Sequence, residues 1–339
     1  MSWMSFLFIL FGITWIGVGM WRSFAIGRGL LDKPNNRSSH TIPTPRGGGV
    51  ICLVVWNCLL LVFYYLQFLS LFELILFVPA ALAGCLGFVD DVKGLSAKVR
   101  FGCQCFLACC ILIMLSNLPQ YFSMILGLPK IMGMLAMVLL IVWLINVFNF
   151  MDGTDGLAAT QGIFIFGIGG YLLYQHHALT LSVLAWAYCA ILGGFLVWNW
   201  PPAKIFMGDS GSCFLGCLTA TFALAGFSIY QLSLIPWVIL TAPFWFDAGL
   251  TLVRRIIAKE QWTQPHRKHA YQRMIQYGWG HQKLLIFAIL INCMTGSIAF
   301  WTYHEPRLEW FGLGLTLVLL TSIYLLTEVA KPMYKTWYK

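Results

Sequence analysis

The chain has 339 residues, of which 60% are hydrophobic and 16% aromatic, and only 10% are charged, against roughly 25% in a soluble domain. With a mean hydropathy of +0.79 this excludes a soluble globular enzyme and a disordered chain, and fits an all-α polytopic membrane protein organised as a single bundle over 1–339. The net charge of +9 raises nucleic acid as a partner, but the placement of that charge argues against it.

A window of about 20 residues per span gives eleven candidate helices, near 3–21, 48–67, 71–89, 101–117, 131–150, 157–174, 179–198, 211–229, 232–253, 283–301 and 309–328. The stretches 101–117 and 157–174 are short, so ten is the alternative count. The first stretch has Arg22 after it, no basic region before it and no small-residue cleavage site, so it reads as a retained span. Eleven crossings put the termini on opposite faces. The loops 22–47, 90–100, 150–156, 199–210 and 254–282 then share one face with the C-terminal tail. Nineteen of the 21 Lys and Arg fall in or beside these segments, leaving Lys130 and Arg307 opposite. That asymmetry places the N-terminus outside and the C-terminus in the cytosol, and explains the basic character without nucleic acid. The eleven cysteines lie almost all within apolar runs, where they act as small hydrophobes.

The same face collects the polar motifs. The first loop ends Pro43-Thr44-Pro45-Arg46-Gly47-Gly48-Gly49. Its glycines would let backbone N–H groups approach an anion, with Lys33, Arg37, His40 and Arg46 supplying charge; a basic loop that sets topology or binds anionic lipid is the alternative. Asp90-Asp91 ends the third span. Adjacent carboxylates suit a metal site, or one base beside one ligand, but neighbours on a helix diverge, so they need not hold one ion together. At 146–156 two Asn (Asn146, Asn149) precede Asp152-Gly153 and Asp155-Gly156, either a plain turn between helices or the polar centre of a site. The string from Asn199 to Ser212 places Asp209 at a helix start, as an N-cap or as the single carboxylate of a Mg²⁺ site. Asp247 lies within the ninth span. In 265–273, a helix started by Pro265 would set His266, His269 and Arg273 on one face, a cationic comb suited to pyrophosphate.

Taken in order, Asp90-Asp91, Asn149-x-x-Asp152-Gly153-x-Asp155-Gly156, Asn199 with Phe206-Met207-Gly208-Asp209-x-Gly211-Ser212, and a cytosolic His motif resemble the polyprenyl-phosphate N-acetylhexosamine-1-phosphate transferase family, from about residue 32 to 272. The resemblance implies that a lipid phosphate attacks the β-phosphorus of a UDP-amino sugar, UMP leaves, and Mg²⁺, with Mn²⁺ as the alternative ion, bridges the diphosphate. It implies Asp209 as metal ligand. It makes Asp90, Asp91, Asp152, His266 and His269 catalytic candidates. Asn149, Asp155, Gly156, Asn199, Phe206, Lys33, Arg46 and Arg267 become substrate-binding candidates, with Phe206 stacking on uracil and Asn199 hydrogen-bonding it. Asn149 and Asp152 would stand at the diphosphate end, and Asp155-Gly156 at the uridine end. Undecaprenyl phosphate is the implied acceptor and the bacterial inner membrane the implied location; a homodimer is left open.

Two departures bear on the substrate. The peptidoglycan branch has three consecutive His where this chain has His266-Arg267-Lys268-His269, and a Lys where this chain has Gly94. The first argues against a pentapeptide substrate, and the second leaves no lysine role at position 94; the string from His266 to Gln272, with the loop Pro43–Gly48, most resembles the members that begin O-antigen or other surface glycans from UDP-GlcNAc, UDP-QuiNAc or UDP-FucNAc. A transporter is the rival of another class. It would show internal repeats and midplane charges, and only Asp247 fits that description.

Overall fold

Inside a bilayer the backbone must satisfy its own hydrogen bonds, which leaves helices and closed barrels. The computed structural model describes residues 3–32, 42–127, 129–261, 264 and 266–334 and takes the helical solution. Among the described residues, ten helical segments are long and apolar enough to cross a membrane. They are α1 (Trp3–Gly27), Leu71–Lys93 formed by α3 (Leu71–Leu76) and α4 (Val78–Lys93), α5 (Ala97–Met114), α7 (Lys130–Met151), α8 (Leu157–Gln175), α9 (Leu179–Asn199), α10 (Asp209–Tyr230), α11 (Ile235–Ile257), α13 (His281–His304) and α14 (Glu309–Ala330), the last preceded by a 3₁₀ turn at Pro306–Leu308. The eleventh expected span is α2 (Gly49–Tyr65), apolar but only 17 residues long. The chain is thus a multi-pass membrane protein.

Local chemistry explains the deviations from expectation. The 71–93 rod breaks at Phe77 because Pro79 sits in the first turn of α4, while Ser70 and Glu73 form a capping box at the start of α3. The connection at 118–130, expected to be plain loop, contains α6 (Leu118–Leu126). Two residues each of β1 (Leu31–Asp32) and β2 (Thr44–Pro45) pair antiparallel beside the bundle. The short helix expected to start at Pro265 instead begins at Ala270, as the seven-residue α12 (Ala270–Gln276).

α10 is the axis of the bundle, with 83% of its apolar window buried. Its small residues permit close approach of its neighbours. A Cβ at Gly87 of α4 would collide with the Asp209 backbone, one at Gly216 would lie 2.8 Å from Ile145 Cα of α7, and one at Gly49 of α2 would meet Gly211. Deeper in, Trp56, Phe77, Phe166, Tyr188 and Phe222 pack mainly edge to face, with centroids 5.1–6.1 Å apart. By contrast α1 is 17% buried and exposes Phe8, Ile9, Ile13, Ile16 and Met20, a surface suited to lipid. The small-residue seams fix the polar loops relative to one another, because α4 and α7 end, and α10 begins, at the same pole.

Candidate active site

Asp209 opens α10 at that pole. Gly208 before it has φ 77°, and a Cβ there would stand 2.8 Å from Asp91 Oδ2 and 3.2 Å from Gly47 N, so glycine is required on both counts. The Asp209 side chain is 35% exposed, enough to receive a ligand. Asn149, from the last turn of α7, donates Nδ2 to Asp209 Oδ1 at 2.8 Å and to Ser212 Oγ at 3.2 Å.

The two adjacent carboxylates diverge, as helix geometry requires. Asp90 turns toward α5: its Oδ1 accepts Leu95 N at 2.6 Å and its Oδ2 accepts Arg100 NH1 at 2.7 Å. Asp91 turns toward α10: its Oδ2 accepts Ser210 N at 3.2 Å, and Arg46 NH1 stands 3.8 Å from Oδ1 while Arg46 also donates to the Asp91 carbonyl. Arg100 also lies 3.9 Å from Asp209 Oδ2, bridging the two carboxylate directions. Position 94 carries glycine because it ends α4 in the left-handed region, φ 68°.

Asp152 closes the group from the end of α7. Burial holds its carboxyl well above the usual carboxylate range, and Asp209, then Asp91, then Asp155 push it further. This concentration of like charge is what a cation or a cationic partner would relieve. Among the described residues no three His, Cys, Asp or Glu side chains form a ready metal cage. Mg²⁺ does not need one, since it keeps waters and is held by one or two carboxylates plus substrate phosphates. Asp209, half-buried, and Asp152, pressed by its neighbours, fit that role.

Three residues on, Asp155 is treated quite differently. Its Oδ2 accepts Ala203 N at 2.9 Å, and its Oδ1 is 3.0 Å from His281 Nδ1. Gly156, in the left-handed region at φ 73°, donates its N–H to Asn199 Oδ1 at 2.9 Å, and Asn199 Nδ2 donates to Ile205 O at 2.8 Å. Asn199 and Asp155 are buried and Phe206 half-buried. Asp155, Gly156, Asn199 and Ile205 are therefore laced into one unit at the foot of the 199–206 loop.

Two expectations are corrected. The Gly47–Gly49 run is not an open anion cradle. Gly48 N donates to Phe206 O and Gly49 N to Met207 O, both at 2.9 Å, and Phe206 N donates back to Pro45 O at 2.8 Å. The glycines let the two loops zip together, and the N–H groups of Gly48 and Gly49 are consumed in doing so. The cationic comb is also absent. Residues 266–269 are not helical, α12 begins at Ala270, and Arg273, 2% exposed, is paired at 2.6 Å with Glu328 of α14.

The cause of the second correction is Asp247. From within α11 it accepts Ala270 N at 2.8 Å, Tyr271 N at 3.4 Å and Thr251 Oγ1 at 3.1 Å, so it caps α12 from another helix and fixes its start. His269 is buried 3.7 Å from it, and the His266 and His269 rings are 4.7 Å apart. Burial, then His269, Arg255 and Lys268, lower His266 to about 3, so its ring is neutral at physiological pH. Tyr271 donates its hydroxyl to Phe150 O at 3.0 Å, binding the His segment under the 150–156 turn. Arg267 belongs to this segment, and its carbonyl accepts Gln276 Nε2 at 2.7 Å. Asp247 thus serves the loop, which removes the one feature that favoured a transporter. Lys33, with Arg37, His40 and Pro265, lies outside the described residues.

Comparison with known proteins matches residues 73–227 to the family model described as glycosyl transferase family 4, a segment that holds Asp90 through Ser212. The chain is 30% identical over 320 residues to a Bacillus subtilis protein named as a probable undecaprenyl-phosphate N-acetylglucosaminyl 1-phosphate transferase, covering 91% of this chain and 86% of the other. It is 29% identical over 355 residues to the decaprenyl-phosphate N-acetylglucosaminephosphotransferase of Mycolicibacterium smegmatis, covering 93% and 86%. It is 30% identical over 227 residues to the phospho-N-acetylmuramoyl-pentapeptide-transferase of Listeria innocua, covering 61% and 70%.

Proposed function

The chain belongs to glycosyl transferase family 4, the polyprenyl-phosphate sugar-1-phosphate transferases, and from that premise we propose that it moves an N-acetylhexosamine 1-phosphate from a UDP-sugar to undecaprenyl phosphate. The observation that carries this reading is the adjacency of two unlike ends at one pole. A crowded carboxylate group with two arginines (Asp91, Asp152, Asp209, Arg46, Arg100) adjoins a laced wall whose polar groups are hydrogen-bonded among themselves (Asp155, Gly156, Asn199, Phe206). One end suits a diphosphate with its counter-ion, the other a uridine.

In this reaction an oxygen of the lipid phosphate forms a bond to the β-phosphorus, the bond from that phosphorus to the bridging oxygen breaks, and UMP departs with that oxygen. Two anions must be brought together, so catalysis rests on positioning and charge neutralisation. Mg²⁺, or Mn²⁺ in its place, would supply that neutralisation at the diphosphate, held by Asp209 with Asp152. Arg100 and Arg46 stand ready for the phosphoryl oxygens, each oriented by Asp90 or Asp91. A phosphomonoester with a second pKa near 6 is largely dianionic at neutral pH, so direct attack needs no base, and Asp90, held by Arg100 and Leu95 N, acts by orienting Arg100.

UDP-GlcNAc is the first choice of donor, with UDP-QuiNAc and UDP-FucNAc next, and the product would begin an O-antigen or other surface glycan. The longer coverage by relatives named for N-acetylglucosamine supports this over the pentapeptide reading. The basic character of the loops around it supports a site on the cytosolic face of the inner membrane. The test is purified protein with Mg²⁺, undecaprenyl phosphate and a panel of UDP-sugars, following UMP. Release with UDP-GlcNAc and none without lipid phosphate is expected; no UMP from any UDP-HexNAc would sink the reading.

A further inference from the structure

The 150–156 turn is tied to the start of α13 by a histidine that no motif announces. His281, the first residue of α13, brings Nδ1 to 3.0 Å from Asp155 Oδ1 and 3.1 Å from Thr154 Oγ1. A carboxylate accepts hydrogen bonds, so Nδ1 carries the proton and donates. Asp155 N also approaches Nδ1, at 3.5 Å, which is then a contact and not a hydrogen bond.

This occupies both oxygens of Asp155, because Oδ2 already takes the Ala203 N–H. Ala203 is three residues before Phe206, and Asn199 ties Gly156 to Ile205. His281, Asp155 and Ala203, with Gly156, Asn199 and Ile205, make one strap across the foot of the 199–206 loop. The phosphate-end groups Asp91, Asp152 and Asp209 are not among these hydrogen bonds.

We propose that His281 is a positioning residue for the uridine wall: it holds the Asp155 carboxylate against Ala203 and thereby sets where Phe206 stands to meet the base. This rests on the uridine-nucleotide reading given above. Because the strap bypasses the phosphate end, its loss acts on nucleotide binding and not on phosphoryl transfer.

The test compares wild type, His281→Ala and His281→Asn, the last placing an amide N–H close to the position of Nδ1. UMP is titrated by calorimetry, and UMP release is followed against UDP-sugar concentration. His281→Ala weakens UMP binding and raises KM by about tenfold, with kcat within about twofold of wild type, and His281→Asn recovers most of the loss. Should His281→Ala not fold, His281→Gln, whose amide is displaced by one bond, makes the same comparison with His281→Asn. Unchanged UMP affinity, or a fall in kcat with KM unaltered, overturns the proposal. Wild type that neither binds UMP nor turns over any UDP-sugar overturns the uridine reading and this role with it, a result distinct from a silent His281 in an active enzyme.

Discussion

Asp152-Gly153 and Asp155-Gly156 are the same dipeptide three residues apart, yet the fold uses them in opposite ways. Asp152 is enclosed beside Asp209 and Asp91, and its ionisation is opposed by all of them. Asp155 has donors on both oxygens. A carboxylate left in conflict marks where a ligand's charge is to be balanced, whereas a satisfied one is scaffold. The pair divides the pole into an energetically unfinished end, the one proposed for the diphosphate, and a fully hydrogen-bonded end, the one proposed for the nucleotide.

Substitutions can break or sharpen that division. The largest effect is expected at Asp209, where Asp209→Asn lowers kcat by about a thousandfold, in the range for a lost electrostatic contributor at a reacting phosphate, measured as UMP release. Asp152→Asn comes next, with a loss of about a hundredfold in kcat. Its stability should move the other way. A carboxyl whose folded pKa is raised loses stability as pH rises through that value, so at neutral pH the amide removes a repulsion and the melting temperature rises. Asp155→Asn should do the reverse: it weakens the strap, destabilises by about 1–2 kcal/mol as a buried acceptor is lost, and raises KM more than it lowers kcat. A melting temperature that moves in the same direction for both substitutions would break the comparison.

The smallest effect concerns the His segment. His266 sits at about 3 in the fold and near 6.5 when unfolded, so between those values the unfolded chain binds more protons and stability falls as pH falls. Glu260, lowered to about 2 by Lys268 and Arg255 against the cost of its burial, loses its contribution in the same direction below about 4.5. The melting temperature should therefore decline from pH 6.5 to pH 4, less steeply in His266→Asn.

Much of the polar pole was legible in the sequence, because Asp90-Asp91, Asn149, Asp152 and Asp209 lie in short motif strings that the fold brings together. The helices were legible from hydropathy, with ends misplaced by a few residues where Gly or Pro sets the boundary. What was not legible depends on partners distant in the chain. The glycine run reads as an anion cradle until Phe206 and Met207 are seen to occupy its N–H groups. The comb of His266, His269 and Arg273 fails because Asp247 and Glu328, on α11 and α14, claim α12 and Arg273. Arg100 looked like one more juxtamembrane cation until the fold set it between Asp90 and Asp209. His281 carries no local signal, since it meets Asp155 across 126 positions of sequence.

The most direct measurement is the shift in melting temperature produced by Mg²⁺ with UMP on wild type, Asp155→Asn, Asp152→Asn and Asp209→Asn. If the phosphate end is the unfinished one, Mg²⁺ adds stability to wild type and to Asp155→Asn but little or none to Asp152→Asn and Asp209→Asn. Equal stabilisation of all four proteins would contradict the division of the pole on which the account rests.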